Sequence, residues 1–303
     1  EYKADLYLKG RVKVHKSNKL VKYIPSMFRL EKGIDDYIIE SLSEMHYTAP
    51  DIYNRKIKAV SSTFPRDYGE LTDLTDFFNM NIYSSSMMTD KLLSPLDKES
   101  AKYYIYLLDS IVEADNGLQY KIKIVPRFRG TQLVSGYVWV SDQVWTIREV
   151  YFEGKFDMVE FKLRNVMGAE GDEEFLPVLL NLNLIFKFMG NHLEMNADAW
   201  VKYNQVKFYQ GGERRKSQKK HRHDLSEFYQ LTCDSSKVLR DLRMFSTIRP
   251  IPLTVEEDSL YRSWSMRKDT LMQLSVQEKE KQKAHEFWGQ LGDMLVSSYN
   301  VNL

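Results

Sequence analysis

The chain is short of most features that announce a function. It has one cysteine, Cys233, in 303 residues, which excludes an intramolecular disulfide framework and a four-cysteine zinc site. That usage fits the cytoplasm, or a periplasmic protein that does without disulfides. No run of about 18 or more apolar residues occurs, so no transmembrane helix is expected. The formal net charge is only +1, which gives no global attraction to nucleic acid or to an acidic substrate. No leader peptide is visible, and the chain begins inside an apparent strand, EYKADLYLKGRVKV. A piece of a longer product, its true N-terminus upstream, is therefore expected.

Catalytic signatures are missing too. There is no Gly-rich phosphate loop, no G-x-S-x-G and no H-E-x-x-H. Cys233 sits in no recognisable motif and reads as a buried structural thiol. His221 and His223 could offer two imidazoles to a metal, but the lysines and arginines around them favour a solvated loop. The acidic stretch Gly168–Glu174, GAEGDEE, lacks the alternating ligand spacing of a calcium loop and reads as a polar hairpin loop. The expectation is a protein that is not an enzyme and needs neither cofactor nor metal.

What the chain does have is alternation. Tyr2, Ala4, Leu6 and Leu8 stand against Lys3, Asp5, Tyr7 and Lys9, and a bulge is expected at Gly10 before Val12 and Val14 resume the pattern. Further strands are expected over 37–47, 54–64, 103–113, 118–126, 133–141, 144–154, 158–166, 176–190, 191–203 and 204–209, with turn residues between them. Hairpin spacing with few helices predicts an antiparallel sheet. Ser94 and Pro95 mark the start of a short helix. Thr254 and Glu257 form the pattern of a capping box, with Glu256 and Asp258 at the positive end of the helix that follows. The later SVQEKEKQKAHE is polar all round and reads as an exposed connector.

Two features invite a functional reading. Between Glu213 and Asp224, Arg214, Arg215, Lys216, Lys219, Lys220 and Arg222 form a basic run with no interleaved aromatics. Base stacking is thereby disfavoured; a solvated loop or a contact with anionic lipid headgroups remains. The second is GYVWVSDQVWTI, apolar on both faces of its strands: Tyr137 and Trp139 point one way and Val138 and Val140 the other, while Trp145 and Ile147 alternate against Val144 and Thr146. In LPVLLNLNLIFKFMG, Leu180, Leu182, Leu184 and Phe186 share one face, and Ile185 interrupts the Asn181 and Asn183 face. Strands apolar on both sides are either covered on both sides or line an apolar cavity. Tyr137, Trp139, Trp145 and Ile147 are the candidate ligand-lining residues.

A resemblance enters at this point. YKADLYLKG, IIESLSEMHY, IKAVSSTF, SPLDKESAKYYIYLLD, YKIKIVPR…GYVWVSDQVWTI, IRPIPLTVEEDSLY and LGDMLVSSY follow one another in an order that covers most of the chain. That order resembles the middle, periplasmic region of a Bacteroidota outer-membrane family of carboxypeptidase-regulatory-like-domain-containing proteins of unknown function. The resemblance implies an immunoglobulin-like domain upstream and an outer-membrane β-barrel downstream. It also implies a fold similar to the outer-membrane lipoprotein carrier: a large, curved, incompletely closed antiparallel sheet with short helices on its concave face.

The organisation expected is a curved β domain over 1–210, a basic loop and linker over 211–253, a helical connector over 254–290 and the start of a barrel over 291–303. The role expected is that of a non-enzymatic domain at the periplasmic face of the outer membrane, binding an apolar ligand such as a lipid, or an extended polypeptide, in envelope transport or assembly. A structural spacer or docking platform is the alternative. The partner implied is the barrel of the same parent chain; nucleic acid is not expected.

Overall fold

The computed structural model describes residues 1–18, 33–48, 52–63, 82, 86–87, 92–114, 117–142, 145–156, 158–168, 175–208, 230–234 and 242–275. Thirteen strands are present among them: β1 (Tyr2–Lys16), β2 (Asp36–Thr48), β3 (Ile52–Ser62), β4 (Ser86–Met87), β5 (Leu92–Leu93), β6 (Tyr104–Ala114), β7 (Gly117–Pro126), β8 (Ser135–Ser141), β9 (Ile147–Phe156), β10 (Val159–Met167), β11 (Pro177–Phe188), β12 (Asn191–Val206) and β13 (Gln230–Asp234). Two helices follow, α1 (Leu242–Ile248) and α2 (Val255–Ser275).

Eleven of the strands form one open sheet in the order β13-β3-β2-β1-β12-β11-β10-β9-β8-β7-β6. All neighbours are antiparallel except β13, which runs parallel to β3. This is the mainly β, unclosed antiparallel architecture expected, with one parallel strand added at an edge. β1 is central because it pairs on both sides, with β2 and with the 16-residue β12.

Alternation divides the sheet into two faces. The core face carries Leu6, Leu8 and Val12 of β1, Ile39 of β2, Phe152 of β9, Leu163 of β10 and Leu180 and Leu182 of β11, all buried. It is covered in part by Leu92, Leu96, Tyr103 and Val134. Tyr104 ties that cover down: its hydroxyl donates to the Leu93 carbonyl at 2.7 Å and accepts from the Val134 N–H at 3.3 Å. The opposite face is more polar, and α1 and α2 pack on it. Phe245 of α1 meets Tyr7 and Ala59 there. The helix expected from Ser94 is instead a turn, with Ser94 Oγ accepting from the Leu96 N–H at 3.2 Å, followed by a 3-10 helix over Lys98–Lys102.

Three local expectations are corrected. Residues 191–206 form one strand, not two, because β1 supplies ladder partners on both sides of the expected break, from His192 to Val206. Gly10 lies in regular register rather than in a bulge; a Cβ there would come within 3.0 Å of Ile39 Cγ2, so the glycine serves a close approach. The stretch 211–253, read as loop and linker, contributes β13 and α1. The capping box is present: the Thr254 N–H donates to Glu257 Oε2 at 2.8 Å, and the Glu257 N–H donates to Thr254 Oγ1 at 3.2 Å. The basic run 214–222, His221 and His223, and the segments 169–174, 276–290 and 291–303 lie outside the described residues; so does the side chain of Cys233, although its backbone belongs to β13.

Buried tyrosines give the fold a pH signature. Burial pushes the Tyr104 hydroxyl up to about 12 and raises those of Tyr2, Tyr7 and Tyr261. An unfolded tyrosine ionises near the ordinary value of about 10, so above that pH the folded state holds more protons than the unfolded one and stability falls. The expected result is full stability below about pH 10, declining towards pH 12 as the folded Tyr104 hydroxyl titrates. Tyrosinate absorbance and circular dichroism followed together check this: a substantial share of the tyrosinate signal should appear only as the secondary structure is lost.

Candidate functional site

β6 is the last strand of the sheet. One side of it pairs with β7 along its whole length; the other pairs with no described strand. Its residues nonetheless read like those of an interior strand. Tyr106, Leu108 and Ile111 lie on the core face and Ile105, Leu107 and Val112 on the opposite face, each between 36% and 61% exposed. A register shift between Leu108 and Ser110, around Asp109, keeps the alternation in step with β7. Large apolar side chains are thus held in water on both sides of a row of backbone N–H and C=O groups that no described strand pairs. Edge strands normally avoid that combination, because it invites another strand to pair.

The apolar surface continues inward on the core face. Beyond the cover tied down by Tyr104 lie Leu118, exposed, and Tyr120, half-buried. The Tyr120 ring stacks on Trp145 with centroids 5.6 Å apart and planes 12° from parallel. Trp145 is 66% exposed and adopts φ +54°, a left-handed conformation uncommon for a bulky residue. Ile147 is half-buried against the core.

Tyr137 and Trp139 are elsewhere. Their strand neighbours Val138 and Val140 are buried on the core face, which leaves the two aromatics on the opposite face. There Tyr137 stacks on Tyr151, centroids 5.2 Å apart and planes 17° from parallel, and its hydroxyl donates to Glu149 Oε1 at 3.2 Å. Arg164 Nη2 donates to Glu149 Oε2 at 2.7 Å. Lys121 Nζ lies 4.5 Å from the Tyr137 ring centroid and 5.8 Å from that of Trp139. Burial, then the bond to Glu153, pushes the Tyr151 hydroxyl up to about 12. The second apolar face of GYVWV is therefore an aromatic ladder clad in charges. The four candidate residues do not line one surface: Ile147 belongs to the core face, Trp145 to the rim, and Tyr137 and Trp139 to the other side.

Residues 1–204, from β1 through nearly all of β12, match a family of unknown function (DUF5686). The chain belongs to that family. No curated protein matches it. Among solved structures, a LolA superfamily protein from Nitrosomonas europaea is 9% identical, over 68% of this chain and 88% of that one, with a TM-score of 0.23. A putative outer membrane lipoprotein-sorting protein domain from Vibrio parahaemolyticus is 8% identical, over 67% and 86%, also at 0.23. At those TM-scores the likeness decides nothing about this chain.

Sequence reasoning passed over two features of this DUF5686 domain. One is the openness of β6, which depends on what lies beside it. The other is Asn165, fully buried on the core face between Leu180 and Val150 in the ladder, with neither amide atom hydrogen-bonded. Its signal was available: along β10 the core-face residues run Val159, Phe161, Leu163, Asn165, Met167, and only Asn165 breaks the apolar series.

Proposed function

We propose that this domain is a non-enzymatic binding module that takes an extended polypeptide as an added strand along β6. The observation that supports it is a β6 edge that no described strand pairs, together with exposed apolar side chains on both of its faces. A lipid chain lying on the core face would cover Leu108 and Ile111 but leave Leu107, Val112 and the edge backbone in water. A strand covers all of them at once: its main chain meets the open N–H and C=O groups while its alternate side chains meet both faces. The order of sequence motifs that resembles the outer-membrane family supports a place at the periplasmic face of the outer membrane, and a role in envelope transport or assembly. One observation favours the rival, a rigid spacer: α1 and α2 are clamped to the sheet by Arg249–Glu40 and Lys9–Glu257 ion pairs.

The test is selection from a display library of short peptides, followed by affinity measurement against the wild-type domain and Leu108→Lys/Ile111→Lys. Both replaced side chains are exposed, so the variant is expected to fold. Each contributes about 1.5–3 kcal/mol if buried by a partner, so selected peptides are expected to bind the variant at least ~100-fold more weakly. Peptides that bind both proteins equally, or a library that yields none, would leave the spacer as the better reading.

A further inference from the structure

On the face opposite the core, where β7, β8, β9 and β10 end together, lies an open cleft of about 340 Å³ lined by Gln119, Trp139, Arg148, Glu149 and Val166, among others. Two irregularities of the sheet shape it. In the β8–β9 ladder Trp139 faces Glu149 and Val140 faces Ile147, so Arg148 is an extra residue. The bulge brings Arg148 alongside Glu149 in the cleft wall, where strict alternation would separate them across the sheet. In the β10–β11 ladder Val166 faces Leu179 and Met167 faces Pro177, so Val178 is extra. Bulges that re-aim side chains are over-represented beside binding sites.

The charges around the cleft are already answered within the protein. Glu149 is held by Arg164 at 2.7 Å and by the Tyr137 hydroxyl at 3.2 Å. Arg148 Nη1 donates to the Gly168 carbonyl at 3.4 Å. Lys121 is 3.5 Å from Asp109 and lies over the Tyr137 and Trp139 rings. An ionic ligand would have to displace these partners. The uncharged donors and acceptors are different: among the described residues the Gln119 amide and the Trp139 indole N–H have no hydrogen-bond partner, although both line the cleft. Beside them the half-buried indole offers a flat apolar surface.

An aromatic plane next to solvent-accessible neutral polar groups suits a ligand with an apolar face and a rim of hydroxyls. A pyranose ring has that build: axial C–H bonds on one face, hydroxyls that both donate and accept around the edge. We propose that the Trp139 cleft is a binding site for a neutral saccharide, stacked on the indole and hydrogen-bonded by Gln119. This site is separate from β6 and does not rest on the strand-addition reading.

Saturation-transfer NMR and calorimetry with maltose, cellobiose and N,N′-diacetylchitobiose test it on the whole 303-residue chain. Saturable binding of at least one of these is expected, with saturation strongest at the protons of one ring face. Trp139→Ala is expected to abolish it, and Gln119→Ala to weaken it at least ~tenfold. Leu108→Lys/Ile111→Lys is expected to bind the sugar unchanged, which separates this site from the β6 edge. No saturable transfer from any of the three sugars, or transfer that persists in Trp139→Ala, overturns the proposal. Should Trp139→Ala fail to fold, Gln119→Ala decides: an unchanged affinity in that variant overturns it equally.

Discussion

Arg249→Ala is expected to lower the unfolding free energy by about 3–5 kcal/mol, the range found when one partner of a buried ion pair is removed. Glu40 lies wholly inside the protein, on the face of β2 that α1 covers. Its carboxylate accepts from Arg249 Nε and Nη2, both at 2.7 Å, and from the Tyr7 hydroxyl at 2.5 Å. Without the guanidinium the buried carboxylate loses both charge-assisted hydrogen bonds, and the cost of desolvation is no longer offset. Urea unfolding monitored by circular dichroism reads the loss. The double variant Arg249→Ala/Glu40→Gln is the informative companion: with the buried charge gone as well, a large part of the loss is expected to return. A single variant within about 1 kcal/mol of the wild type, as for an exposed pair, would show that the clamp is not needed. The result bears on domain limits, because Arg249 lies beyond residue 204, where the family match ends. A chain cut at that point would leave Glu40 in the same unanswered state.

Gly136→Ala is the second large effect, expected at about 3–5 kcal/mol or outright failure to fold. Gly136 has φ +156°, and a Cβ there would fall 1.9 Å from the Tyr151 carbonyl oxygen and 3.0 Å from Phe152 Cα. Both are backbone atoms of the paired strand β9, so relief requires the β8–β9 ladder to open. Gly154→Ala is the internal comparison. Its Cβ would meet Phe161 Cε1 at 2.9 Å, a side-chain atom that can turn aside, and overpacking of that kind costs about 1–3 kcal/mol. Thermal unfolding of the two variants side by side distinguishes them; equal losses would contradict the backbone argument. Because β8 and β9 carry Trp139, Arg148 and Glu149, the Gly136 variant is also expected to lose whatever the cleft binds.

Much of the architecture was legible because it is written in local periodicity. The strict alternation of Leu180, Leu182, Leu184 and Phe186 on one face of β11 survives in the ladder, where Leu180 meets Ala199 and Leu182 meets Ala197. The Thr254–Glu257 capping box is a three-residue relation and forms as read. Relations that cross the chain were not legible. β13 pairs with β3, about 180 residues away in sequence, in parallel, and its five residues carry too little pattern to announce a strand. The division of 191–206 into two strands failed for the same reason: the turn-like Tyr203-Asn204-Gln205 stays extended because Ala4 and Lys3 of β1 pair with Tyr203 and Gln205.

The candidate site shows the same division. That GYVWV presents bulk on both faces follows from its residues alone, since successive side chains in any strand point to opposite sides. Which face enters the core does not. Val138 is buried because Ile122 and Val150 flank it on β7 and β9, while Tyr137 and Trp139 fall in line with Lys121 and Glu149. Likewise YIYLLDSIVE identifies itself as an apolar strand, but only the order of strands in the sheet makes it an edge. By itself the sequence determined most of the strands, the alternation of residues along them and the capped helix, because these depend on neighbours a few positions away. The tertiary structure alone decided which face is covered, where the sheet stops and which charges are buried, because each depends on residues brought together from distant parts of the chain.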